Sequence, residues 1–482
     1  MASPLLSLPS DLLHVIFVLL PPENLLAVGQ TCRVLHEYTA NDYLWHEILK
    51  TLRLPLDVEP HAVRNQLPGH VLRRIVTRAL RVDHNWRRPN PRIRKMTRLD
   101  VDHASQMQFL GSQWLLVLRR AAASLSIWRI PNTNVPYCAT TIDLSEIGRP
   151  LHFSSSLYHR GGKALIALIL STKSGTELLA YSVDLQSQFD DSEAGVFSLH
   201  TPSCILRIPE HKFYEVRVCG HIIATGGFID NLLTPSAYRI LFINSDTGVR
   251  CLLDPNLDPA ELTQLHFRLH RRQLILTAIR DQTTFVVRIY DIPPAIFSKP
   301  TGNGTPPSES TTPLETLTTP SVEYASWAGP NPEYHLSARP MHDMSHISSI
   351  SFQTFRATAN YLFHFPVNQH PQRSPSTPSF SCSFRTETAA SAEIVCLGDT
   401  GQRAVWLERR WSTDEYTLMK AAFSPVDLDS GSKTEPVIVQ QLFARHLALP
   451  FAFHTCCCLA FEEASCTVAL AVHTGEVYIV QF

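Results

Sequence analysis

The sequence predicts a multidomain α+β chain: a small N-terminal helical domain, then a mainly β, propeller-like domain of six or seven divergent blades. Three observations predict it. Apolar residues recur at helical spacing between caps and prolines over the first 55 residues. A short arginine-rich segment with its own helical period follows. From residue 96 onward, apolar runs of four to eight residues alternate with turns, and no long helical period appears. The boundaries read as 1–55, a basic helical connector at 56–95, and a β domain at 96–482.

Composition sets outer limits on the reading. With 44% hydrophobic and 18% charged residues, the 482-residue chain can bury a sizeable core and is not wholly disordered. The longest apolar stretches, 164–170 and 12–20, fall well short of the ~18 residues a spanning helix needs. No Lys or Arg precedes Arg33 and Asp11 abuts the first apolar run, so the opening does not read as a secretory leader. A soluble, cytoplasmic and/or nuclear protein with no membrane partner is expected. None of the eleven cysteines is spaced C-x-x-C, and the apolar run Cys456-Cys457-Cys458 reads as small buried hydrophobes rather than metal ligands.

In the first domain, Leu8-Pro9-Ser10-Asp11 precedes Leu12, Leu13, Ile16, Phe17 and Leu20, a start signal followed by a helical period. Ser10 or Asp11 is expected to cap that helix. Pro21-Pro22 stops it, and Pro22 is placed to open a second helix carrying Leu25, Leu26 and Val28. A third run holds Cys32, Val34, Leu35 and Tyr38. A fourth starts at the cap Asn41 and carries Leu44, Trp45, Ile48, Leu49 and Leu52. Four helices this short cannot enclose a full core, so an uncovered apolar face and a partner are expected.

The string from Leu8-Pro9 through the paired leucines, Ile16-Phe17, Leu20-Pro21, Cys32-Arg33-x-Leu35 and Leu44-Trp45 resembles the F-box over about 45 residues, with matching spacing throughout. The resemblance implies docking onto the Skp-type adaptor of a Skp/cullin/F-box ubiquitin ligase. It places Leu8, Pro9, Leu12, Leu13, Ile16, Phe17, Leu20 and Pro21 at or just behind the adaptor interface.

In the connector, residues 61–100 carry eleven Lys/Arg against two Asp/Glu, whereas residues 1–60 carry three against seven. Val71, Leu72, Ile75, Val76, Ala79, Leu80 and Val82 give the first half a helical apolar stripe that ends near Asn85-Trp86. The stretch from Ala79 to Pro91 also looks like the junction of many fungal F-box proteins. Ten basic residues between 71 and 98 form either an electrostatic surface for a polyanion or a rigid connector whose arginines bond loop carbonyls and cap the next domain. Trp86 is the one aromatic there, so a stacking site for single strands is incomplete and nucleic acid is not the expected partner.

The β domain reads as paired runs: 115–118 with 125–130, 164–170 with 178–183, 222–225 with 238–243, 274–279 with 285–290, 394–397 with 404–407 and 467–472 with 477–480, with a weaker run at 361–365. An aromatic recurs along them at Trp128, Tyr181, Phe242, Tyr290, Phe363, Trp406 and Tyr478. Radial repetition accounts for so many short strands with few exposed edges. Tyr290-Asp291 faintly resembles the Trp-Asp that ends a WD-repeat blade, whereas Trp128-Arg129 lacks the acid. No leucine-rich-repeat period recurs. The last strand is expected to close the ring by pairing near 99–101.

Pro-, Ser- and Thr-rich stretches predict disordered insertions near 299–350 and 367–391, the second carrying Ser374-Pro375 and Thr377-Pro378. His342, Asp343 and His346 lack a fourth ligand, His266 and His270 lie too far apart along one strand for a shared metal, and no G-x-S-x-G elbow or phosphate loop occurs. No catalytic residue, metal or cofactor is expected. The functional expectation is the substrate-recognition subunit of a Skp/cullin/F-box type E3 ligase, binding the adaptor through the F-box and an unknown target through the β domain, with a cullin scaffold as a further partner. The alternatives are an F-box scaffold without a ligase role and a nucleic-acid binder acting through 71–98.

Overall fold

A computed structural model of the chain describes residues 7–52, 54–57, 67–131, 135–158, 162–185, 202–231, 234–255, 262–270, 272–280, 284–297, 316–317, 320, 322–327, 332–336, 346–353, 360–366, 379–384, 390–423 and 437–482. Four short helices come first: α1 (Ser10–Val18), α2 (Pro22–Val28), α3 (Arg33–Thr39) and α4 (Asp42–Thr51). Proline sets two of their starts. Pro9 and Pro21 are the N-caps of α1 and α2, and their carbonyls accept from Leu12, Leu13 and Leu25 at 3.0–3.1 Å. This corrects the expected cap at Ser10 or Asp11: Ser10 is already helical and makes no capping bond, because the fixed φ of Pro9 opens the helix one residue earlier. Asn41 does cap α4, accepting from the Tyr43 amide at 2.9 Å.

Helix α5 (Gly69–Trp86) belongs to two cores at once. Its first half sets Leu72 and Val76 among Leu13, Phe17, Leu25, Leu35, Leu44, Trp45, Ile48 and Leu49 of α1–α4. Gly69 sits so close to Asp42 that a Cβ would clash at 2.4 Å, and its amide bonds the Asp42 carboxylate at 2.8 Å. The far end is locked to the β domain. Trp86 is fully buried, stacks on Phe461, meets Phe482 edge-on and donates Nε1–H to the Ala421 carbonyl at 3.0 Å. Asp83 takes a 2.7 Å ion pair from the buried Arg403, and Lys420 caps the helix end by donating to the Trp86 and Arg88 carbonyls. The connector is therefore held by groups reaching out from the β domain. Just past the helix end, Arg87 pairs with Asp83 and Arg88 contacts His84.

The β domain is a six-sheet propeller. β2 to β5 (Gln106–Leu110, Trp114–Arg119, Ser124–Arg129, Tyr137–Asp143) form a four-stranded meander. Next come β6 (Arg149–Tyr158), β7 (Lys163–Ser171), β8 (Thr176–Asp184), β9 (Ser203–Cys219), β10 (Ile222–Asn231), β11 (Thr234–Asn244) and β12 (Arg250–Leu253), which with the short β16 (Thr316–Leu317) make one eight-stranded sheet. Two four-stranded halves share the 17-residue β9: Ser203–His211 pairs with β8, and Lys212–Cys219 pairs with β10. Three further four-stranded sheets follow. The first holds β13 (Leu262–His270), β14 (Gln273–Arg280), β15 (Thr284–Asp291) and β17 (Val322–Trp327); the second β18 to β21 (Pro332–Leu336, His346–Gln353, Asn360–Pro366, Ser379–Phe384); the third β22 to β25 (Ala390–Leu397, Arg403–Arg410, Tyr416–Ala422, Ile438–Gln441).

The ring closes where the two ends of the domain meet. β1 (Lys95–Asp100) is the outer strand on β28 (Glu476–Gln481), with Leu99 opposite Val477, in the order β1-β28-β27-β26, where β27 is Thr467–Val472 and β26 is Cys456–Glu462. Each half of the eight-stranded sheet and each four-stranded sheet holds one of the seven recurrent aromatics. Six sit on the third strand; Trp406 sits on the second, because 394–397 and 404–407 are the first two strands of their sheet. First strands of successive blades abut, and side chains stitch them: Gln106 and Gln108 of β2 each bond both backbone groups of Phe153 and Ser155 on β6 at 2.9–3.2 Å.

The expected insertions need correction where they are described. Strands β16, β17, β18 and the start of β19 lie within 299–350 and β21 within 367–391. A serine-rich run such as His346-Ile-Ser-Ser-Ile-Ser-Phe-Gln353 reads as polar linker, although Ile350 and Phe352 keep the two-residue spacing of a strand. Ser374, Thr377, His342 and Asp343 lie outside the described residues.

Candidate interaction surfaces

Helix α1 is apolar on both sides, whereas a surface helix ordinarily keeps a polar outer face. Leu13 and Phe17 turn inward and are 1% exposed. Leu12, Val15, Ile16 and Leu19 turn outward and are 51%, 58%, 37% and 77% exposed, at the i, i+3, i+4, i+7 spacing of one helical stripe. The eight residues singled out from the sequence therefore divide. Leu13 and Phe17 belong to the core; Leu8 and Leu20 are half-buried against it; Pro9, Leu12, Ile16 and Pro21 are exposed. Val15 and Leu19 share the outer stripe and were not singled out, although their phase with Leu12 carried that signal. Val34 and Tyr43 are also exposed, and the Tyr43 ring stacks 6.4 Å from His14 of α1.

A second surface runs along α5. An open groove of about 1460 Å³ lies between α2, α5 and the last sheet. One acidic residue, Glu23, lines it, against seven arginines and two histidines. Arg78 reaches Asp57 at 3.7 Å and Arg88 touches His84. Among the described residues, the guanidinium groups of Arg73, Arg74, Arg81, Arg92 and Arg94 have no protein partner.

A third cluster faces the ring's centre, where β6, β9 and β13 adjoin. Glu215 pairs with Arg217, lies 3.6 Å from His266 and accepts from the Phe267 amide. Burial pushes the Glu215 carboxyl up, but Arg217, His266 and Arg268 more than offset it and hold it near 2. Burial, reinforced by Arg217, drives His152 down to about 3, so its ring is neutral and its Nδ1 has no partner. Gly226 leaves room here: a Cβ would strike the Tyr238 hydroxyl at 2.2 Å. Three strands bring these groups together, and His152 Nδ1 is left unpaired among them.

The cysteine run lies on β26, where burial raises the Cys456 and Cys458 thiols to about 12 and about 11. Among the described residues no group of three or more His, Cys, Asp or Glu is arranged to hold a metal, and no helix is long and apolar enough to cross a membrane.

Residues 5–51 match the F-box-like family model. No curated protein matches the chain. Among solved structures, the β-propeller domain of Cps50 (Swd1) from Myceliophteria thermophila is similar at 12% identity, covering 81% of this chain and 99% of that one, with a TM-score of 0.46. A chain of a mitotic checkpoint complex is similar at 10% identity, covering 81% and 96%, with a TM-score of 0.42.

Proposed function

From an F-box-like domain at residues 5–51 set on a β-propeller, we propose that the chain is the substrate-recognition subunit of a Skp/cullin/F-box type ubiquitin ligase. The outer stripe of α1 carries this reading. Four large apolar side chains on one helix face, uncovered by the chain's own β domain, fit a groove on a partner, and F-box domains typically take a Skp-type adaptor. Leu12 and Ile16, with Val15 and Leu19, would enter the interface. Pro9 and Pro21 would border it, while Leu13, Phe17, Leu8 and Leu20 hold the helix in position. The propeller would present its loops to a target protein. Such an architecture is typical of non-catalytic receptors: the chain contributes proximity, raising the effective concentration of target beside a conjugating enzyme bound elsewhere.

Charge substitution tests the reading. Leu12→Asp with Ile16→Asp removes two exposed contacts and should abolish capture of a purified Skp-type adaptor while leaving the melting midpoint unchanged. Adaptor capture unaffected by the double variant would refute it. Co-purification of a cullin with the adaptor supports the ligase assignment; adaptor alone supports a scaffold without a ligase role.

A further inference from the structure

We propose that the groove along α5 is a docking site for an extended acidic peptide of a partner protein, in which Asp or Glu alternates with apolar residues. The charge is the first argument. Among the described residues, five guanidinium groups without protein partners converge on a cleft lined by a single carboxylate, and unpaired like charges repel one another until an anion enters. Guanidinium forks take carboxylates in bidentate pairs, so several can be engaged at once.

The floor is the second argument. Leu26, Leu80, Val82, Ile93 and Phe482 line the groove between the arginines. A nucleic-acid backbone would engage the cations but leave this floor wet, and among the described residues Phe482, itself largely buried, is the one Phe, Tyr or Trp on the groove where successive bases would need several. An extended peptide does both things, since its alternate side chains face opposite ways: acids turn to the arginines and apolar residues to the floor. Dimensions agree. The 18 residues of α5 span about 27 Å at ~1.5 Å per residue, which is about eight residues of extended chain at ~3.3 Å each.

The walls come from different parts of the chain: Leu26 and Gln30 from α2, the arginine row from α5, and Thr467, Gln481 and Phe482 from the closing sheet of the ring. A bound peptide would therefore touch the helical domain and the propeller together. The inference is independent of adaptor docking, which uses the outer stripe of α1.

The test uses the full chain and fluorescence anisotropy with a labelled eight-residue peptide alternating Glu and Leu. Controls are a Lys/Leu peptide, single-stranded RNA and duplex DNA of equal charge. Saturable binding of the acidic peptide that weakens at least tenfold between 50 and 300 mM salt is expected, with the nucleic acids weaker. Arg74→Glu with Arg81→Glu, both exposed, should weaken the peptide at least tenfold at an unchanged melting midpoint, and so should Arg92→Glu with Arg94→Glu. Lys173→Glu, on a distant turn, should do nothing. Tighter binding of either nucleic acid, equal binding of the Lys/Leu peptide, or less than a twofold effect of both arginine pairs would overturn the proposal.

Discussion

Replacing Trp86 with alanine should detach α5 from the propeller. The indole is fully buried, stacked 5.4 Å from Phe461, edge-on at 5.8 Å from Phe482, and bonded to the Ala421 carbonyl. Truncating such a side chain costs about 3–5 kcal/mol. Stranding the buried carbonyl adds about 1 kcal/mol. The loss, about 4–6 kcal/mol, falls on a local opening of the α5 end, because the sheets keep their own ladders and α1–α4 keep Leu72 and Val76. Each 1.4 kcal/mol is about a factor of ten in the open population, so the junction should open about a thousandfold more often, or more. Trypsin reports this directly: Arg87, Arg92, Arg94 and Lys95 lie in the junction, which is now held by Lys420 on the Arg88 carbonyl and by two 2.9 Å bonds between the Asn85 side chain and the Arg92 backbone. Limited proteolysis with mass-mapped fragments should show early cleavage at 87–95 in W86A and an intermediate rate in W86F, which keeps a ring but loses the hydrogen bond. If W86A is cut there no faster than the parent chain, α5 is not pinned by this residue and the reasoning fails.

Two further outcomes follow from the propeller. The folded His152 is held near 3, below its ordinary value of about 6.5, so its stabilising contribution is fully present above pH 6.5 and is lost as pH falls toward 3. Buried Glu463, raised to about 7, works the opposite way between pH 7 and pH 4.5, so the His152 contribution is read as a difference: the urea midpoint of the parent chain should fall relative to that of His152→Gln across this window, and an unchanged difference would count against the neutral histidine. Glu215, held near 2, adds a loss only below about pH 4.5. Deleting 477–482 removes the strand between β1 and β27 and should abolish the cooperative melt of the whole β domain. A truncated chain melting as before would show that the ring needs no such closure.

What the sequence disclosed divides along physical lines. The helix starts in the first fifty residues were legible because proline and asparagine act locally, although Pro9 rather than Ser10 takes the cap. Blade interiors were legible too, since Trp114–Arg119 and Thr467–Val472 are buried on both faces and so read as unbroken apolar runs. Outer strands were not: Tyr137–Asp143 and Ile438–Gln441 are mostly half-exposed and differ little from loop in composition. The long β9 was hidden because Pro209, just before its pairing passes from β8 to β10, reads as the end of a strand. Periodicity placed Leu12, Leu13, Ile16 and Phe17 on one helix, but it could not say which side faces inward. That is decided by Trp45 of α4 and Leu72 of α5, far along the chain. The arginine count was plain from the start; which guanidinium groups lack partners depends on Arg78 reaching Asp57 and Arg87 reaching Asp83 in space.

The pairing of β1 with β28 has a temporal side. On the ribosome, residues 95–100 emerge early and wait for a mate encoded more than 370 residues later. Trp86 waits with them, since Phe461 and Phe482 arrive at the same late moment. Helices α1–α4 with the first half of α5 need nothing from that distant segment. The nascent chain can thus offer its outer α1 stripe long before the ring exists, and whatever covers those leucines meets an unfinished molecule first.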